Sequence, residues 1–113
     1  MTGFISVEDF QHTLQTNGDA YQLIDVREAI ELRLANLNHL GFRHYPLSEF
    51  EAWHEQILKD LQPDRPTYVL CHHGIRSAQV AEWLRQQGFH PVINISGGIQ
   101  AWSERVDPAI PTY

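Results

Sequence analysis

Apolar residues in this chain gather in short dense runs, and between the runs they recur at helical spacing. Tyr21-Gln22-Leu23-Ile24-Asp25-Val26, Thr67-Tyr68-Val69-Leu70 and Pro91-Val92-Ile93-Asn94-Ile95 are of strand length and read as buried strands. His44-Tyr45-Pro46-Leu47 predicts a further brief strand. Ser6, followed by Glu8 and Asp9, predicts a capped helix start. Val7, Phe10 and Leu14 continue that helix until Asn17-Gly18-Asp19 stops it. Arg27 to Leu34 predicts a short helix with Arg27 and Glu28 at its exposed start, and Asn36, Asn38 and Gly41 mark the stretch from Ala35 to Arg43 as loop. Ser48 caps a helix reaching to about Leu61, and Pro63-Asp64-Arg65-Pro66 leads into the strand at Thr67. From Ser77 to Gln87 a helix sets Val80, Ala81, Trp83 and Leu84 on one face and stops at Gly88. Ser96-Gly97-Gly98 turns sharply into a last short helix through Trp102, and Pro108 and Pro111 preclude helix in the tail.

Apolar strands alternating with helices predict an α/β fold with a central parallel sheet flanked by helices on both faces. The 113 residues are expected to form a single domain, residues 1–113, without repeats or linkers. One cysteine cannot make an internal disulfide, so the fold does not require an oxidising compartment. The start of the chain lacks a signal-peptide pattern and no run approaches membrane-spanning length, which makes the cytoplasm the expected location. Fourteen acidic against eight basic residues give a net charge of −6, which argues against nucleic acid as partner. That charge also requires any anion site to be local.

The candidate chemistry is Cys71, which opens the run Cys71-His72-His73-Gly74-Ile75-Arg76-Ser77. It lies between the carboxyl end of a predicted strand and the amino terminus of a predicted helix. There, backbone N–H groups and the helix dipole favour negative charge, and so the nucleophilic thiolate. In open parallel sheets this is also where ligands bind. Gly74 suits a tight loop or a close backbone approach. Arg76 contributes a fixed positive charge, either as an anion ligand or as a solvated arginine of the first helical turn.

These pieces resemble the single-domain rhodanese family of sulfurtransferases. The resemblance is carried by Leu23-Ile24-Asp25-Val26-Arg27-Glu28, by the Cys71 to Ser77 loop with its helix, and by Val92-Ile93-Asn94-Ile95. Gly97-Gly98-Ile99 with Trp102, and the closing Asp107-Pro108 and Pro111, complete it. Cys71 to Phe89 is also similar to the rhodanese domain attached to some molybdopterin-synthase-activating enzymes. The resemblance implies a rhodanese-like α/β fold in which Cys71 carries a persulfide. The backbone of His72, His73, Gly74, Ile75 and Arg76 would cradle it as the substrate-binding loop. It implies ping-pong transfer from a donor such as thiosulfate to a thiophilic acceptor, either cyanide or a thiol or protein. One departure stands out: where rhodaneses carry a Gly-His-Ile-Pro-Gly-type turn, this chain has Leu37-Asn38-His39-Leu40-Gly41-Phe42-Arg43.

Rival chemistries fit less well. Related phosphatases space their cysteine and arginine as C-x5-R; here the spacing is C-x4-R, a smaller bowl suited to sulfur. Cys71, His72 and His73 are adjacent and lack the spacing of a zinc site, and His12, His39, His44, His54 and His90 are scattered, which predicts surface or half-buried positions. No metal and no cofactor are assigned. A protein-interaction module, or a persulfide relay with little thiosulfate turnover, is the alternative. Asp25 is expected to cap the turn after its strand, and Gly97-Gly98 to pack Trp102 onto the sheet. Trp53, Trp83 and Trp102 read as core or edge aromatics. The expected partners are a small sulfur-containing anion and a thiol or protein acceptor, with no nucleic acid, no membrane and a monomeric state.

Overall fold

The computed structural model describes residues 3–16 and 20–113; the helix stop expected at Asn17-Gly18-Asp19 lies outside them. Five strands form one parallel sheet among the described residues: β1 (Phe4–Ile5), β2 (Gln22–Asp25), β3 (Arg43–His44), β4 (Thr67–Leu70) and β5 (Val92–Ile95). Their order is β1-β5-β4-β2-β3, so β4 runs through the middle. Among the described residues five α-helices surround the sheet: α1 (Val7–Thr16), α2 (Ala29–Leu34), α3 (Phe50–Asp60), α4 (Ile75–Gln86) and α5 (Gly98–Arg105). The parallel α/β architecture is the one the alternating pattern predicts.

Strand alternation divides the core into two layers. Ile24, Val69, Cys71 and Val92 join Trp53 and Ile57 of α3 and Val80, Ala81 and Leu84 of α4 on one face. Leu23, Tyr68, Leu70, Ile93 and Ile95 join Val7 and Phe10 of α1 and Ile99 and Trp102 of α5 on the other. Each such buried aliphatic or aromatic side chain contributes about 1.5–3 kcal/mol by leaving water. Cys71 continues the period-two alternation of β4, so its sulfur is directed to the α3–α4 side.

Local details depart from the pattern in instructive ways. Ser6 caps α1 as expected, its Oγ accepting the Asp9 N–H at 3.1 Å. β1 is unforeseen, because two residues on a sheet edge are too short to display a period. β3 ends at His44, and after Pro46 the chain enters a 3-10 turn, Leu47–Glu49. Ser48 therefore sits inside that turn and does not cap α3. Its hydroxyl and its N–H both go to the Glu28 carboxylate. The stretch from 35 to 43 holds a 3-10 turn, Asn38–Leu40, with Leu37 buried.

Arg27 is the largest correction, since it is completely buried and not exposed. Its Nε and Nη2 bind the Asp25 carboxylate at 2.8–3.2 Å, and its Nη1 donates to the Ala35 carbonyl and the Tyr113 hydroxyl. Asp25 also accepts the Arg27 N–H at 3.0 Å, which is the turn cap expected of it.

Candidate active site

Two strand–turn–helix connections meet at the carboxyl end of the central strands. β4 leads through Cys71-His72-His73-Gly74 into α4, and β5 leads through Ser96-Gly97 into α5. Gly74 takes φ 96°, a conformation open to glycine, and this starts α4 at Ile75, two residues before the expected Ser77. The same turn aims the Gly74 N–H at Cys71 Sγ, at 3.1 Å. Cys71 is 1% exposed. Its sulfur thus lies beneath the amino terminus of α4, where the unpaired N–H groups of the first turn concentrate positive potential.

The second turn supports the first. Ile99 N–H donates to the Cys71 carbonyl at 3.0 Å and Gln100 N–H to the His72 carbonyl at 3.1 Å. The start of α5 therefore ties down the carbonyls of Cys71 and His72, while the Gly74 N–H faces the sulfur. This contact needs Gly98: a Cβ there would stand 2.3 Å from the Cys71 oxygen and 2.4 Å from the His72 oxygen. Gly97-Gly98 does more than pack Trp102, because it lets two backbones touch at Cys71.

Ser77 touches the sulfur and Asn94 touches Ser77, and neither was singled out by sequence reasoning. Asn94 Nδ2 donates to the Gly74 carbonyl at 2.9 Å, so its Oδ1 faces Ser77 and accepts the hydroxyl proton. Ser77 Oγ lies 3.2 Å from Sγ. A hydroxyl has one proton, so the Sγ–H is the donor to Ser77 while the thiol is protonated. An ionised sulfur at this distance would accept the Ser77 hydroxyl proton in place of Asn94. A polar residue between Ile93 and Ile95 in a buried strand was the available signal for Asn94.

The remaining loop residues form a wall. Arg76 is paired with Glu31 through two bonds, Nη1 to Oε2 at 2.7 Å and Nη2 to Oε1 at 2.8 Å. This holds the Glu31 carboxyl at about 2, chiefly through the Arg76 hydrogen bonds, and raises Arg76 above its ordinary range for the same reason. Tyr113 donates its hydroxyl proton to Glu31 at 3.0 Å and accepts from Arg27 at 2.9 Å. Its ring stacks on His72 with centroids 3.9 Å apart, and His72 stacks in turn on His73. Burial and then the neighbouring His73 push His72 below the usual imidazole range. His73 and Ile75 are exposed. The sequence offers no local sign of Glu31 or Tyr113, which arrive from 45 and 82 positions away from their partners.

The other five histidines are exposed or half-buried, as expected. No cluster of three metal-ligating side chains occurs among the described residues. None of the described helices is long and apolar enough to cross a membrane. A cavity of about 290 Å³ opens at the amino end of the sheet, by Gln22, Arg43, Asp60 and Arg65, away from the thiol.

Comparison with known proteins bears on this arrangement. The model of the Rhodanese-like domain family matches residues 6–105. The chain is 50% identical, over 96% of its length, to Rhodanese-like/PpiC domain-containing protein 12, chloroplastic, of Arabidopsis thaliana, and spans only 36% of that protein. It is 32% identical to thiosulfate sulfurtransferase GlpE of Vibrio cholerae, over 71% of this chain and 70% of the relative. A rhodanese-related protein of Thermoplasma volcanium has a solved structure that superposes with a TM-score of 0.73 at 32% identity, covering 93% of this chain and 94% of the other.

Proposed function

The chain belongs to the Rhodanese-like domain family, and on that footing we propose that it is a sulfurtransferase whose persulfide carrier is Cys71. In the first half-reaction the Cys71 thiolate attacks the outer sulfur of a donor such as thiosulfate. The donor S–S bond breaks, sulfite leaves with the bonding pair, and Cys71–S–S⁻ remains. In the second, a thiophilic acceptor (cyanide in an assay, a thiol or protein thiol in a cell) takes the terminal sulfur and restores the thiolate. Splitting the transfer into two displacements is covalent catalysis in its ping-pong form.

The observation that carries this reading is the Gly74 N–H on a buried Sγ at the start of α4. An added sulfur extends Sγ by about 2.0 Å, into the concavity rimmed by His72, His73, Gly74, Ile75 and Arg76. Fixed N–H dipoles there would stabilise the terminal anion without reorganising. Ser77 would supply the proton contact that keeps the leaving thiolate low in energy when sulfur is passed on. A monomer in the cytoplasm, with its one thiol kept reduced, is the setting we infer.

Intact mass measurement tests this directly. Wild type treated with a sulfane donor should gain one sulfur, cyanide should remove it as thiocyanate, and Cys71→Ser should gain none. Failure of the wild type to load from both thiosulfate and a persulfide donor would remove the carrier role.

A further inference from the structure

We propose that Glu31 and Tyr113 form a charge latch that holds Arg76 away from incoming anions, and so set the donor class of the Cys71 site. The favoured donors are then persulfides, R–S–SH, over dianionic thiosulfate. This inference rests on the carrier role of Cys71 and narrows it. Of the eight basic residues, Arg27 and Arg76 are the two that touch the loop or the groups packed on it, among the described residues. Both are spent on carboxylates. Arg27 is buried on Asp25, and Arg76 is held by both oxygens of Glu31. Neither pair leaves a net charge, and Glu28 beside them adds a negative one. His72 is held toward its neutral form by burial.

A dianion approaching this loop therefore meets backbone N–H dipoles but no free cation, within a chain of net charge −6. Like charge slows such an encounter, while a neutral or singly charged sulfur is less affected. Tyr113 makes the arrangement rigid. Its hydroxyl occupies Glu31 Oε1 and receives Arg27, and its ring lies flat on His72. For Arg76 to swing toward a substrate, Glu31 would have to give up a bidentate partner in a partly buried site. Tyr113 thus ties the end of the chain to the pair formed by Glu31 and Arg76.

The transfer step balances without a redox partner. Cys71–S⁻ attacks the terminal sulfur of R–S–SH, the donor S–S bond breaks, R–S⁻ departs with the electron pair, and Cys71–S–SH retains the proton. Low-molecular-weight and protein-borne persulfides share this chemistry, and two donor arms separate them: glutathione persulfide, and a cysteine desulfurase charged with cysteine.

The experiment measures second-order constants for loading Cys71 with each donor, over a range of ionic strength, for wild type, Glu31→Gln and Tyr113→Phe. Wild type should load from at least one persulfide donor about tenfold faster than from thiosulfate, and added salt should speed the thiosulfate reaction by screening like charge. Freeing Arg76 with Glu31→Gln should raise the thiosulfate-to-persulfide ratio by about tenfold. Tyr113→Phe, which keeps the ring stack and loses the hydroxyl, should raise it by about two- to threefold. A wild type that prefers thiosulfate, with a rate that falls as salt is added, overturns the latch while leaving the carrier role intact. So does a ratio unchanged in both variants. Absence of loading from every donor overturns the carrier role itself.

Discussion

The two glycine turns at the carboxyl end of the sheet are built alike and used differently. Each follows a central strand, each has a glycine at positive φ as the cap of the next helix, and each presents the N–H groups of a helix start. The β4–α4 turn directs an N–H to a side chain, the sulfur of Cys71. The β5–α5 turn directs its N–H groups to the carbonyls of the first turn. One helix start faces the chemistry, and the other holds it in place. The loop that carries Cys71 is thus braced by the backbone of its neighbour, in addition to the side chains that touch it.

Substituting the glycines should expose this asymmetry most strongly. Gly98→Ala forces a Cβ to within 2.3–2.6 Å of the Cys71 and His72 backbone, where nothing flexible can yield. We expect a loss of about 3 kcal/mol or more in chemical denaturation, together with loss of sulfur loading. Gly74→Ala comes no nearer than 3.1 Å to the Gly97 nitrogen and 3.5 Å to the Ile95 oxygen, so its cost should stay near the strain of positive φ, about 1–2 kcal/mol. If the two variants prove equally stable, the supporting role of the second turn is lost.

Asn94 is the side-chain link between the turns, and it offers a gentler break. Asn94→Ala leaves the Gly74 carbonyl and the Ser77 hydroxyl without their partner in a largely buried site. That should cost about 1–3 kcal/mol. Asn94→Asp keeps the acceptor for Ser77 but faces the Gly74 carbonyl with an oxygen, and so should slow loading more than its stability cost suggests. Equal loading rates in wild type and Asn94→Asp would show that the amide bond to the Gly74 carbonyl is immaterial to loading.

Acid sharpens the comparison with the smallest expected effect. Glu31 titrates at about 2 in the folded protein, against an ordinary 4.5, because Arg76 binds its ionised form. Its pKa is depressed, so the stability it contributes is fully present above about 4.5 and is lost as pH falls toward 2. Only the β4–α4 turn carries this lock. Amide exchange at Ile75 to Gln79 should therefore quicken through that window before exchange at Ile99 to Trp102, and Glu31→Gln should abolish the difference.

What could be read from the sequence follows from range. Cys71, its strand and its helix are neighbours in the chain, and local pattern places them correctly. The parallel sheet is legible because Leu23-Ile24, Val69-Leu70 and Val92-Ile93 each supply one residue to each face. Arg27 was misread because burial of a guanidinium depends on partners. Asp25 is nearby, but the hydroxyl that completes its shell belongs to Tyr113, 86 positions on. Gly98 was legible as a turn but not as a contact, since the atoms it must avoid belong to another strand's loop. Glu31, Asn94 and Tyr113 acquire their roles only when the chain is folded.

The burial of Cys71 sets a limit on what this thiol can meet. A disulfide between two copies would require their Cα atoms to come within about 7 Å, and a sulfur under the first turn of α4 cannot be brought that close to its counterpart. The protein is therefore kept from cross-linking to itself through Cys71. For the same reason, commerce with a partner would pass through the second sulfur, an atom that the gene does not encode and that is present only while the carrier is loaded.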